Sequence, residues 1–101
     1  MLNIFEVIDK TGRKIYLEQG EWDHILKHKY MAQYLEDIKE TVINPDFIVH
    51  HKFDHSRRNY YHYYKERKRY LSVSVKYLNG DGYVVTTFIT RKIIRLVKYS
   101  P

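Results

Sequence analysis

The stretch from Tyr70 to Thr90 restricts the fold more than any other. Leu71, Val73, Val75 and Tyr77 alternate with Ser72, Ser74 and Lys76, the period of a strand with one buried face. Asn79-Gly80-Asp81-Gly82 follows, a strong hairpin signal. Tyr83 to Thr90 is the return strand. On strict alternation Val85, Thr87 and Ile89 share one face, and Val84, Thr86, Phe88 and Thr90 the other. Hairpin links of this kind imply an antiparallel sheet with one face covered by other elements.

The covering elements are legible upstream. Asn3–Asp9 and Lys14–Leu17 are β-prone and flank the turn Lys10-Thr11-Gly12-Arg13, a first hairpin. From Glu21 the period changes. Trp22, Ile25 and Leu26 recur at helical spacing, with His24 and His28 at i, i+4. Met31, Leu35, Ile38 and Val42 mark a second helix, stopped at Asn44 because Pro45 disfavours a helical residue before it. Phe47-Ile48-Val49 and the Tyr-dense Asn59–Lys65 read as strands. The tail RKIIRLVKY reads as a last strand or a short helix. The expected fold is α+β: an N-terminal β-hairpin and two helices packed on a four-stranded antiparallel sheet. Its 101 residues make one domain, residues 1–101.

Charge points to a polyanion. Residues 1–49 carry six Lys/Arg and nine Asp/Glu, whereas residues 50–101 carry twelve and three. Within the second half, His50–Tyr70 interleaves seven Lys or Arg with four His and five Tyr. Cations neutralise phosphates and aromatic rings stack on exposed bases, so RNA is the expected partner. An acidic protein partner fits the same field. The chain has no cysteine, which excludes a disulfide framework, a Cys-type zinc site and a cysteine nucleophile. That composition suits a reducing cytoplasm, the expected location. The start lacks the pattern of a signal peptide, no apolar run reaches membrane-spanning length, and no membrane partner is expected.

RNA cleavage by internal attack of the 2′-hydroxyl needs a base, an acid and cations, and no cofactor. His24 and His28 are candidates for the acid–base pair, and packed or surface histidines are the plain alternative. A zinc site built from this pair with His50, His51, His55 or His62 is a third reading, although their spacing matches no recognised zinc motif. The second half has only Asp54, Glu66 and Asp81 as acids, too few for a two-metal nuclease. Arg58, with Arg57 as its rival, is the candidate transition-state cation. Lys65, Arg67, Lys68 and Arg69 are phosphate contacts near a turn, and Tyr61 and Tyr63 the base-stacking pair. Thr86, Thr90 and Lys92 share a parity, and a Thr hydroxyl facing a cleft can hold a phosphate oxygen, with plain β-propensity the alternative.

Trp22-Asp23-His24-Ile25-Leu26-Lys27-His28 resembles the W-x-H-I-x-x-x-H helix signature of the phage-associated branch of the barnase, EndoU, colicin and RelE-like ribonucleases. Ile43-Asn44-Pro45-Asp46, Asn59-Tyr60-Tyr61 and Val85–Ile93 resemble its later motifs in the same order, over about residues 13–93. The usual Pro-Glu after the second histidine is Lys29-Tyr30 here. The resemblance implies a small metal-independent ribonuclease, toxin-like, of phage or mobile-element type. It would be restrained by an antitoxin or immunity protein, expected to be acidic. His24, His28, Arg58, Thr86 and Thr90 would form its active site. A non-catalytic RNA- or partner-binding module on the same basic, Tyr-rich sheet is the alternative, and a Tyr-rich dimer interface a third.

Overall fold

A computed structural model describes residues 2–93 and the backbone of residues 97–100. The elements run β1 (Asn3–Ile8), β2 (Lys14–Glu18), α1 (Gln19–Ile25), a 3₁₀ segment (Lys29–Tyr34), α2 (Leu35–Ile43), β3 (Phe47–His51), β4 (Arg57–Tyr64), β5 (Arg69–Leu78), β6 (Asp81–Thr90) and β7 (Val97–Ser100). The α+β class matches the expectation. The sheet does not, because it is a single mixed sheet of seven strands in the order β1-β2-β6-β5-β4-β3-β7. The tail reading is answered by β7, which pairs antiparallel with β3; residues 94–96 of that tail lie outside the described residues.

The N-terminal hairpin is part of this sheet rather than a layer on it. Strand β2 pairs parallel with β6, Ile15 opposite Gly82 and Tyr16 opposite Tyr83. Gly82 permits the joint. A Cβ there would lie 2.4 Å from Cδ1 of Ile15 and 2.9 Å from Cγ1 of Val75, closer than packed atoms approach. The β5–β6 hairpin turns on Asn79 and Gly80 alone, both at positive φ (55° and 90°), so β6 begins at Asp81. A register shift opposite Ser74 and Val75 then inserts one extra residue in β6. It moves Val84 onto the buried face with Thr87, contrary to strict alternation.

One face of the sheet is closed by the helices. Trp22 and Ile25 of α1, Met31 and Tyr34 of the 3₁₀ segment, and Ile38 and Val42 of α2 pack with Ile15, Leu17, Tyr60, Leu71, Val73, Val75, Tyr77 and Val84. Each fully buried aliphatic side chain contributes about 1.5–3 kcal/mol. Strand alternation turns Arg57, Asn59, Tyr61, Tyr63, Tyr70, Ser72, Ser74, Thr86, Phe88 and Thr90 to the opposite face.

One polar cluster interrupts the core. Asp9, at the end of β1, is 5% exposed. Its Oδ1 accepts from the backbone N–H groups of Thr11 (2.9 Å) and Arg13 (2.8 Å) and from the Thr11 hydroxyl (2.8 Å). Its Oδ2 accepts from the hydroxyls of Tyr60 and Tyr77, the latter at 3.1 Å. Burial alone would raise the Asp9 pKa. The bonds from Tyr60, the Arg13 N–H, Thr11 and Tyr77 outweigh it and hold the carboxyl below its ordinary 3.8. Burial pushes the Tyr77 hydroxyl up to about 12, and burial with the bond to Asp9 also raises Tyr60.

A lowered carboxyl contributes stability that is present above 3.8 and lost as pH falls through the folded value. Raised tyrosines contribute stability that is present below their ordinary value of 10.0 and lost as pH rises beyond it. Urea unfolding should therefore give a plateau from about pH 5 to 9, with losses below about pH 4 and above about pH 10. Asp9→Asn should cost about 2–4 kcal/mol at pH 7 and flatten the acid limb. An acid limb unchanged in that variant would contradict the role given to Asp9.

Candidate functional site

Strand β4 crosses the sheet from Arg57 to Tyr64 and turns into β5 through Lys65–Lys68. The turn closes with Lys68 at φ 54°, its N–H donating to the Tyr64 carbonyl at 2.8 Å. Facing this hairpin on the helix side are the 3₁₀ segment and α2. Between them lies an open cleft of about 400 Å³, lined by Gln33, Tyr34, Asp37, His62, Tyr63, Tyr64, Lys65, Glu66 and Arg67. Three of the predicted RNA-contacting residues, Tyr63, Lys65 and Arg67, thus share one cavity.

The cleft holds an oriented imidazole. Continuing the β3–β4 register, Phe47 opposite Tyr61, by one step sets Asp46 opposite His62. His62 Nδ1 lies 3.2 Å from Asp46 Oδ2, and the same oxygen accepts the Tyr63 backbone N–H at 2.6 Å. A carboxylate fixed by a backbone donor fixes the orientation of the ring, with Nδ1 directed at Asp46 and Nε2 turned away from it. The Tyr64 ring packs edge-on to His62 at 4.7 Å, and its hydroxyl donates to Asp37. Burial and that bond to Asp37 raise the Tyr64 pKa, so it stays a neutral donor. Arg67 lies 5.9 Å from the Tyr34 ring centroid and 5.8 Å from that of Tyr64, and donates to the Tyr34 hydroxyl. Among the described residues Arg67 forms no ion pair, so its charge is available to a ligand.

The five residues expected to act as an active site are not brought together. Helix α1 ends at Ile25, so His28 lies beyond it with an extended backbone (φ −94°, ψ 93°), and the pair does not share one helix face as the i, i+4 spacing predicts. The Trp22 N-terminal half of the motif is too short a helix to continue, since Lys27 and His28 close i→i+3 turns instead. Both imidazoles are exposed and neither forms a hydrogen bond or ion pair among the described residues. Arg58 lies on the helix-side parity of β4, its guanidinium 4.9 Å from the Tyr77 ring centroid. Thr86 and Thr90 face the opposite side of the sheet. The Thr90 hydroxyl is engaged with the Lys92 backbone, donating to its carbonyl at 3.0 Å and accepting its N–H at 3.2 Å.

The other predicted contacts divide in the same way. Tyr61 is 0% exposed, stacked on Phe47 at 5.1 Å and met edge-on by Tyr70 at 6.0 Å, so its ring has no face for a base. Tyr63 is half-buried against Tyr70 and lines the cleft. Arg57 donates to Ser74 Oγ at 2.9 Å on the far face. Arg69 is folded onto the carbonyls of Arg67 and Lys68 at 3.1 Å each, whereas Lys68 and Lys92 are exposed. Sequence reasoning missed the His62–Asp46 pair, treating His62 only as a possible zinc ligand. The β3–β4 register is the signal that finds it, because it fixes which residue lies opposite His62. Among the described residues no three His, Asp or Glu side chains converge as a metal site requires, and no helix is long and apolar enough to cross a membrane.

A family profile described as phage-Barnase-EndoU-ColicinE5/D-RelE like nuclease 2 matches residues 5–99. No curated protein and no solved structure matches the chain.

The difference between the two neighbouring tyrosines is measurable. Tyr61→Ala should cost about 3–5 kcal/mol in urea unfolding, and Tyr63→Ala less than about 1 kcal/mol. Equal losses would mean that the two rings are equally packed.

Proposed function

The chain belongs to this phage-associated nuclease family, and on that premise we propose that it is a metal-independent endoribonuclease, toxin-like, acting from the β4–β5 cleft. The observation that carries the reading is the His62–Asp46 pair at 3.2 Å, whose imidazole lines the same cavity as Arg67, a cation with no ion pair among the described residues. His62 Nε2 takes the proton of a 2′-hydroxyl, and Asp46 steadies the imidazolium that forms. The 2′ oxygen then bonds to phosphorus and the P–O5′ bond breaks, leaving a 2′,3′-cyclic phosphate. Arg67 and Lys65 offset the charge that builds on the phosphoryl oxygens. The Tyr34 hydroxyl accepts from Arg67, keeps its own proton to donate, and is the acid for the leaving 5′ oxygen. His24 and His28 are the competing acid–base residues, supported by their match to the family helix motif rather than by geometry. Restraint by an acidic antitoxin or immunity protein follows from the exposed cations of the β4–β5 turn.

The purified chain should cut single-stranded RNA in EDTA, leave 2′,3′-cyclic or 3′-phosphate ends, and spare DNA, which lacks the attacking hydroxyl. His62→Ala should lose about 10²–10⁴-fold in rate, with Asp46→Asn intermediate. Full activity in His62→Ala together with loss in His24→Ala would move the chemistry to α1. Salt-sensitive RNA retention with no cleavage by the wild type would instead make the domain a binding module.

A further inference from the structure

The end of the sheet remote from the cleft carries a second concentration of positive charge. There the β1–β2 turn, the start of β4 and the end of β5 meet around Asp9 and Tyr77. The guanidinium carbons of Arg13 and Arg58 each lie 4.9 Å from the Tyr77 ring centroid, so they are no more than about 10 Å apart. Cation–π contact holds each in place but does not cancel its charge.

Asp9 is the obvious counter-ion, yet its acceptor capacity is already taken. Both carboxylate oxygens are occupied by Thr11, the Arg13 backbone N–H, Tyr60 and Tyr77, and neither guanidinium forms an ion pair with it. Arg58 reaches only the Thr11 hydroxyl, at 3.4 Å, and its buried Nε has no partner. His50 is opposite Arg58 in the β3–β4 register. Burial first, and the Arg58 charge second, lower the His50 pKa. Two guanidiniums anchored on the same tyrosine ring, each with spare N–H donors, suit the oxygens of a phosphate-bearing ligand.

We propose that Arg13 and Arg58 form a second phosphate-binding site, which takes a backbone phosphate of the same RNA strand that enters the cleft. The proposal rests on RNA being the substrate. From Arg58 to Tyr64 is six residues along β4, on the order of 20 Å, so the two sites together engage a strand of several nucleotides. The β4–β5 cleft reads the scissile step, and the Arg13–Arg58 site rewards length without reading sequence.

The test uses the full chain with 2′-O-methyl RNA, which lacks the attacking hydroxyl and stays intact. Fluorescence anisotropy compares a 3-mer with a 12-mer on wild type, Arg13→Gln and Arg13→Gln/Arg58→Gln. The single variant covers the case in which loss of Arg58 prevents folding. Affinity for the 12-mer should fall about tenfold or more in the double variant and about threefold in the single one. The slope of log affinity against log salt should become shallower by about one. The 3-mer, too short to span both sites, should change less than twofold. An unchanged 12-mer affinity and salt slope in Arg13→Gln would overturn the site. Inorganic phosphate is the second probe, followed through the His50 imidazole resonances. Tight phosphate binding with no length dependence would overturn the RNA-backbone assignment in favour of a small phosphorylated ligand. Because binding is read on uncleaved RNA, a length effect lost in Arg13→Gln would stand even if His62→Ala still cleaves, and only the cleft assignment would then fall.

Discussion

The buried carboxylate of Asp9 holds together segments that are distant in sequence. It lies at the turn of the N-terminal hairpin, yet its partners include Tyr60 on β4 and Tyr77 on β5. The backbone donors from Thr11 and Arg13 shape the turn, and the two tyrosine hydroxyls anchor it to the middle of the sheet. A buried charge is tolerated only when its lone pairs are filled, and here the polypeptide fills them from the hairpin turn and two strands. The same saturation leaves Arg13 and Arg58 without a carboxylate partner among the described residues. One internal demand for hydrogen bonds thus fixes both the hairpin and the electrostatics at that end of the molecule.

The division of charge along the chain becomes a division in space. The acidic first half supplies the helices and the outer hairpin, and the basic second half supplies β4, β5 and their turn. The cleft lies where the halves meet. Asp37 of α2 fastens Tyr64, Asp46 fastens His62, and Tyr34 receives Arg67. The acids neutralise little of the basic surface; they orient groups that a phosphate would meet. A strand entering such a cleft encounters cations on one wall and positioned donors on the other.

Much of the fold was legible in the sequence because it rests on local rules. The alternation in β5, the Asn79-Gly80 turn and the stop at Pro45 each have a short-range cause. The parallel β2–β6 joint was not legible, since nothing local says that Gly82 is small in order to admit Ile15. The extra residue opposite Ser74 and Val75 likewise shifts Val84 inward through pairing, not propensity. At the site, three of the residues singled out in the sequence, Tyr63, Lys65 and Arg67, line one cavity. Which histidine has a carboxylate partner depends on strand register, which composition and spacing do not carry. The i, i+4 spacing of His24 and His28 misled for a related reason: the helix that would align them ends at Ile25.

The Gly82 joint also sets an order of assembly. Strand β2 is made before its inner neighbour β6, which comes some sixty residues later. Until β6 leaves the ribosome, the N-terminal hairpin has an unpaired edge and the core lacks Val84. Non-local pairing of this kind is slow and closes last. A nascent chain therefore carries every cleft residue well before it has a finished sheet to hold them. The cleft residues are thus strung along the chain before the strand that completes the sheet beside them, and their arrangement is only as settled as that last pairing.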